Sequence, residues 1–166
     1  YWTREQWGAR DPAGIVKMDP NKKGVILHQT YGPQNQSVKW IQDYHISDRG
    51  WDDIGYHFLI AGSGDIYEGR PLDKLGAHVA GENTGNIGIS FMGKFTNSST
   101  STPLTEAQIT SGWSLIRSIE SVLGIPHDRS HYSGHYLYNN EKPACPGYPV
   151  RNEFLPWTVR GGEVIK

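Results

Sequence analysis

The chain has 166 residues, about one domain, and a domain of that length buries roughly 70% of the surface its unfolded form exposes, enough for a core without covalent staples. A formal net charge of -1 creates no overall field for nucleic acid or an anionic membrane surface, so no nucleic-acid partner is expected. The single cysteine, Cys145, excludes an internal disulfide, and no apolar run approaches the ~18 residues of a membrane-spanning helix, so no membrane insertion is expected.

The chain opens at Tyr1 rather than methionine and shows no secretory leader, which reads as a processed form or an excised domain. Gly24 to Thr30 is an apolar run that reads as a buried strand, stopped at Tyr31-Gly32-Pro33. Ser37 is placed to cap a helix bearing Val38, Trp40, Ile41, Tyr44 and His45 on one apolar face. Gly55 to Ile60 and Asp65 to Glu68 read as two strands joined by Ala61-Gly62-Ser63-Gly64, a hairpin signal. Asn86 to Phe91 is a further strand. The polar loop Asn97 to Pro103 leads into a long helix from near Thr105 to Leu123, with Ile109, Trp113, Ile116, Ile119 and Val122 inward and Gly124 as its stop. A short helix is expected around Val150 to Leu155. Trp40, Trp51 and Trp113 are assigned to the core. Strands interleaved with helices give an α/β class: one domain over residues 1–166, with a central mixed sheet flanked by helices.

Three residues have the chemistry of soft-metal ligands. His28 ends a buried strand, His135 follows Ser133-Gly134, and Cys145 sits in Ala144-Cys145-Pro146-Gly147. Two imidazoles and a thiolate suit zinc and leave a fourth tetrahedral position for water. Spacing alone does not decide the matter. Seven histidines offer many combinations, a lone cysteine is equally accounted for as a small buried hydrophobe, and His28 as a core histidine.

The run Ile41-Gln42-Asp43-Tyr44-His45, followed by the unbroken block Gly50 to Ile60, resembles the peptidoglycan recognition protein and type 2 N-acetylmuramoyl-L-alanine amidase superfamily. Ile66 to Arg70, Gly76-Ala77-His78, Asn86 to Phe95 and the opening Trp7-Gly8-Ala9 are similar to the same family, in order along most of the chain. The resemblance implies a type 2 amidase fold with zinc held by His28, His135 and Cys145, and a catalytic tyrosine at Tyr56. It implies hydrolysis of the amide between the muramic acid lactyl group and L-alanine of peptidoglycan. The family's oxyanion donor, a lysine or threonine two residues before the cysteine, falls here on Pro143. Lys142 is the candidate replacement, with a solvated surface lysine as its alternative.

The same resemblance places His78 beside the substrate groove, as a substrate contact. His45 is read as structural and His57 as facing away from Tyr56. His127 and His131 are read as solvent-facing, although His131 lies close enough to His135 to compete as a ligand. Tyr31 and Trp7 are candidates for a sugar-binding groove or for plain surface aromatics. Lacking the disulfide usual in animal members, the chain is expected to be a monomeric phage endolysin or bacterial autolysin. Such an enzyme acts at the cell wall or periplasm and has an antimicrobial, wall-degrading role. The rival expectation is a peptidoglycan-binding module without catalysis.

Overall fold

The computed structural model describes residues 1–138, 144–160 and 163–164. In chain order it has β1 (Gly24–Gln29), α1 (Val38–Asp43) running into a π-helical turn at Tyr44–Asp48, β2 (Phe58–Ile60), β3 (Ile66–Glu68), β4 (Asn86–Phe91), α2 (Glu106–Leu123), β5 (Tyr132–Gly134) and α3 (Tyr148–Phe154). A small ribbon pairs β6 (Val159–Arg160) with β7 (Glu163–Val164). Five strands make one mixed sheet in the order β3-β2-β4-β1-β5, parallel except for β3 at one edge. The expected α/β class is what is found.

Alternation along the central strands decides the layering. Val25 and Leu27 of β1, with Ile87, Ile89 and Phe91 of β4, turn to one face and meet Leu115, Ile116 and Ile119 of α2 and Phe154 of α3. The intervening His28, Gly88 and Ser90 therefore turn to the opposite face. There a smaller cluster of Val38 and Ile41 from α1 packs with Ile54 and Leu59. All six residues of β1 are buried, which fits a continuous apolar run covered on both faces.

Helix α2 begins in a capping box. Thr105 Oγ1 accepts the Gln108 N–H at 3.0 Å, and Gln108 Oε1 accepts the Thr105 N–H at 3.2 Å. It stops at Gly124, whose φ of 68° a glycine adopts without strain. Two expected core residues are elsewhere. Val122 is 79% exposed, at the margin of the apolar stripe in the last turn, and Leu115 contributes the inward side chain instead. Trp40 is 56% exposed: α1 is short, Val38 and Ile41 take its inward face, and Trp40 lies about 100° round the axis from Ile41. Trp51 is half-buried, and Trp113 packs against the main core. Strand β2 starts at Phe58 rather than Gly55 because the carbonyls of residues 55–57 accept from loops: Gly55 O from Ala77, Tyr56 O from Arg70 and His57 O from Gly69. Among the described residues, no helix is long and apolar enough to cross a membrane.

Two buried imidazoles tie loops to the sheet. His57 Nδ1 accepts the Gly88 N–H at 3.0 Å and its Nε2–H donates to Lys74 O at 2.9 Å; His45 Nδ1 accepts the Gly55 N–H at 3.1 Å. Burial pushes the pKa of His57 down to about 3 and that of His45 to about 4. Unfolded histidines titrate near 6.5, so between that pH and the folded values the unfolded chain binds more protons. Their contribution is complete above pH 6.5 and is lost as pH falls through the folded values. Acidification from pH 7 to 5 is expected to cost about 2 kcal/mol per histidine. Denaturant titrations across that range check this, with a shallower pH slope expected for His57→Asn.

Candidate metal centre and cleft

Strand register brings the first two ligands together. Leu27 of β1 pairs with Gly134 of β5 in parallel, so His28 and His135 are the next residues along and emerge at the same carboxyl edge of the sheet. Their ring centroids are 4.8 Å apart. Cys145 arrives from the segment preceding α3, its Sγ 3.7 Å from His28 Nδ1. The ligand atoms of His28, His135 and Cys145 lie within 4.8 Å of one another, and all three residues are buried. The expected trio converges.

A chain of hydrogen bonds fixes which His28 nitrogen is free. Asn86 O can only accept, so the His78 Nε2 that meets it at 3.3 Å carries the proton. Burial, then His57, holds His78 neutral, which leaves His78 Nδ1 as an acceptor for His28 Nε2–H at 3.0 Å. The lone pair of His28 therefore sits on Nδ1, the nitrogen facing Cys145. Burial first, and the neighbouring His78 and His135 after it, push the His28 pKa well below 6.5, so it is neutral and competent as a ligand. Close packing holds the relay: a Cβ at Gly88 would stand 2.6 Å from His78 Cδ2, and one at Gly76 2.5 Å from it. Gly88→Ala should thus push His78 aside, and His78→Phe should strip His28 of its acceptor. Each is expected to weaken zinc binding about 10–100-fold, measured by competition with a chromogenic chelator, with far-ultraviolet circular dichroism unchanged.

Gln29, which the sequence reading passed over, anchors the third ligand. Its side-chain Nε2 donates to Phe95 O at 2.8 Å and to Ala144 O at 3.0 Å, while its Oε1 accepts the Phe95 N–H. Its backbone N–H donates to Cys145 Sγ at 3.4 Å, a contact that favours the thiolate. The only hint in the sequence was a polar side chain at the end of an otherwise apolar strand.

The donor set fits zinc. Tetrahedral zinc with N and S ligands separates neighbouring donors by about 3.5 Å, close to the 3.7 Å between His28 Nδ1 and Cys145 Sγ. A cavity of about 230 Å³ reaches His135, Cys145 and His78 and is walled by Tyr31, Tyr44 and Tyr56, leaving access for a fourth ligand. Larger hollows of 410 and 280 Å³ elsewhere touch none of the three residues. The Tyr56 ring centroid lies 5.2 Å from that of His28. Burial, and secondarily Cys145, raises its phenol above 10, so it keeps its proton at neutral pH.

The remaining candidates separate cleanly. His45 is largely buried in the cleft wall against Trp51 and Tyr56, its Nδ1 engaged by the Gly55 N–H, and His57 lies outside the cavity lining. His131 is half-exposed at the start of β5, paired with Asp128 at 2.7 Å and outside the ligand trio. His127 is not solvent-facing: its Nε2–H donates to Phe154 O, and its ring packs on Tyr132, Trp113 and Trp157. Trp7 donates Nε1–H to Glu68 O and packs against the smaller core cluster, away from the cleft lining. Lys142 and Pro143 lie outside the described residues.

This mixed-sheet fold is shared with solved amidases and recognition proteins. The structure resembles that of tracheal cytotoxin bound to the ectodomain complex of peptidoglycan recognition proteins LCa and LCx (TM-score 0.77, 28% identity, 90% of this chain and 93% of that one). It also resembles N-acetylmuramoyl-L-alanine amidase LysC from Clostridium intestinale (TM-score 0.75, 28% identity, 91% and 95%). The chain belongs to the N-acetylmuramoyl-L-alanine amidase family, Amidase_2, whose profile matches residues 18–148. In sequence it is 35% identical over 166 residues to peptidoglycan-recognition protein SC2 of Drosophila simulans, covering 94% of this chain and 85% of the relative. That relative is an insect protein, so the bacterial or phage origin inferred from the single cysteine is not borne out.

Proposed function

We propose that this chain is a zinc-dependent amidase that hydrolyses the bond between the muramic acid lactyl group and L-alanine in peptidoglycan. The observation that carries the reading is the convergence of His28 Nδ1, His135 and Cys145 Sγ at the floor of a cleft that also holds Tyr56. Zinc held by these residues would supply Lewis acidity and lower the pKa of water towards ~7. Tyr56, retaining its proton, donates a hydrogen bond to the oxyanion that develops on the scissile carbonyl, a contribution typically of ~2.7–4 kcal/mol. Protonation of the departing nitrogen is assigned to the same phenol or to water at the metal. Lys142 is assigned as the second oxyanion donor. His78 borders the cavity and adds a substrate contact to its role in orienting His28. The protein acts as a monomer on peptidoglycan at the cell wall or periplasm, as a lytic and antimicrobial enzyme.

Thorough removal of metal by a chelator is expected to abolish release of stem peptides from purified cell wall, and added zinc to restore it. Mass spectrometry of the digest, scoring free lactyl ends on the glycan, reads this directly; turnover that survives metal removal overturns the proposal. The recognition-protein name of the Drosophila relative favours one other reading, a peptidoglycan binder without turnover. Under that reading the digest contains no free lactyl ends at any zinc concentration, while the chain still pellets with the wall.

A further inference from the structure

Trp40, expected in the core, is instead 56% exposed, and Tyr44, one turn further along, is 38% exposed. Residues four apart share a helix face, and here the two rings lie parallel, 3° between planes with centroids 5.5 Å apart. An exposed tryptophan stacked on an exposed tyrosine retains a flat apolar surface in water.

That surface is continuous with the cleft. Tyr44 is itself part of the cavity wall, its ring 6.0 Å from that of His45, which in turn lies 4.6 Å from Trp51, also in the wall. Rings thus run without a break from the cleft, through Trp51, His45 and Tyr44, to Trp40 outside it. Beside the outer pair two cations share one carboxylate, and at the cleft Arg49 lies over the Trp51 ring, its Cζ 5.5 Å from the centroid. Lys39 pairs with Asp43 at 3.0 Å, and Arg10 meets the same carboxylate at 3.4 Å. A pyranose, whose C–H face lies flat on an aromatic ring and whose hydroxyls stay in water, matches the flat exposed pair and its continuity with the cleft.

We infer that Trp40 and Tyr44 form a glycan subsite, which stacks a sugar ring of the strand next to the muramic acid whose stem peptide occupies the cleft. The inference rests on the peptidoglycan reading and deepens it, because it separates binding of a polymeric glycan from binding of one muramyl peptide.

The test uses full-length Cys145→Ser protein, which prevents turnover, and isothermal titration with two ligands. One is a muramyl pentapeptide with a single sugar; the other is a tetrasaccharide of alternating N-acetylglucosamine and N-acetylmuramic acid carrying the same pentapeptides. Adding Trp40→Ala is expected to weaken the tetrasaccharide about 10-fold and to leave the muramyl peptide within about twofold, while Trp40→Phe keeps most of the tetrasaccharide affinity. Equal effects on the two ligands, or none on either, overturn the subsite while leaving the peptidoglycan reading standing. Unchanged glycan affinity with self-association lost in sedimentation velocity would assign the rings to a second copy of the chain and likewise overturn it. Failure of the parent protein to bind either ligand sinks both readings.

Discussion

Replacing Cys145 with serine is expected to lower stem-peptide release by at least about 10³-fold while leaving attachment to insoluble cell wall intact. Cysteine binds a metal as the thiolate and histidine as the neutral imidazole, so Cys145 is the anionic donor of the trio and its loss removes the charge that retains a dication. A serine hydroxyl stays protonated at neutral pH and is a poor substitute. The loss exceeds the 10–100-fold expected for the supporting His78 because Cys145 belongs to the donor set itself. Fold stability should change by only about 1 kcal/mol, since serine is slightly smaller and Gln29 still pins the neighbouring Ala144 carbonyl. Pelleting with purified wall measures attachment, and mass spectrometry of the supernatant measures turnover. Undiminished turnover in the serine variant would remove the metal from the mechanism.

Much of this arrangement was legible before any coordinates, and the parts that were not share a cause. β1 was readable as an apolar run, β4 from Ile87, Ile89 and Phe91 at alternate positions, and α2 because Thr105, Gln108 and Gly124 mark its ends. β5 was missed. Tyr132-Ser133-Gly134 has no periodicity of its own and becomes a strand only by pairing with Val25 to Leu27. Trp40 was misplaced because an apolar residue in a short helix was assigned inward without asking which face the sheet would cover. In the cleft, the ligands and Tyr56 came through a motif, and so did His78, but as a substrate contact and not as the support of His28. His78 meets His28 across 50 positions and Gln29 meets Ala144 across 115, contacts that exist only once strand register is set. Composition misled on origin: one cysteine rules out an internal disulfide, but it does not distinguish this chain from an insect relative 35% identical to it.

Tyr56→Phe is expected to cut kcat by about 10²–10³-fold with little change in KM and none in zinc affinity. The reasoning begins with what the substitution removes. Phenylalanine keeps the ring that packs against His28, at 5.2 Å between centroids, and against His45, at 5.6 Å, so the cavity wall and the metal centre remain in place. Only the hydroxyl is lost. In the ground state a neutral amide carbonyl gains little from that hydroxyl. As the carbonyl carbon becomes tetrahedral its oxygen acquires charge, and a protonated donor in a buried site then acts with full effect. Tyr56 qualifies because burial and the adjacent Cys145 both disfavour its ionised form, so the proton is present throughout the neutral range. Its pKa lies above 10, so wild-type kcat should show no fall attributable to the phenol between pH 7 and 9. Steady-state kinetics on a soluble muramyl peptide across that range, with zinc content measured on the same samples, separate the possibilities. A raised KM with kcat unchanged would make Tyr56 a wall of the binding groove and nothing more.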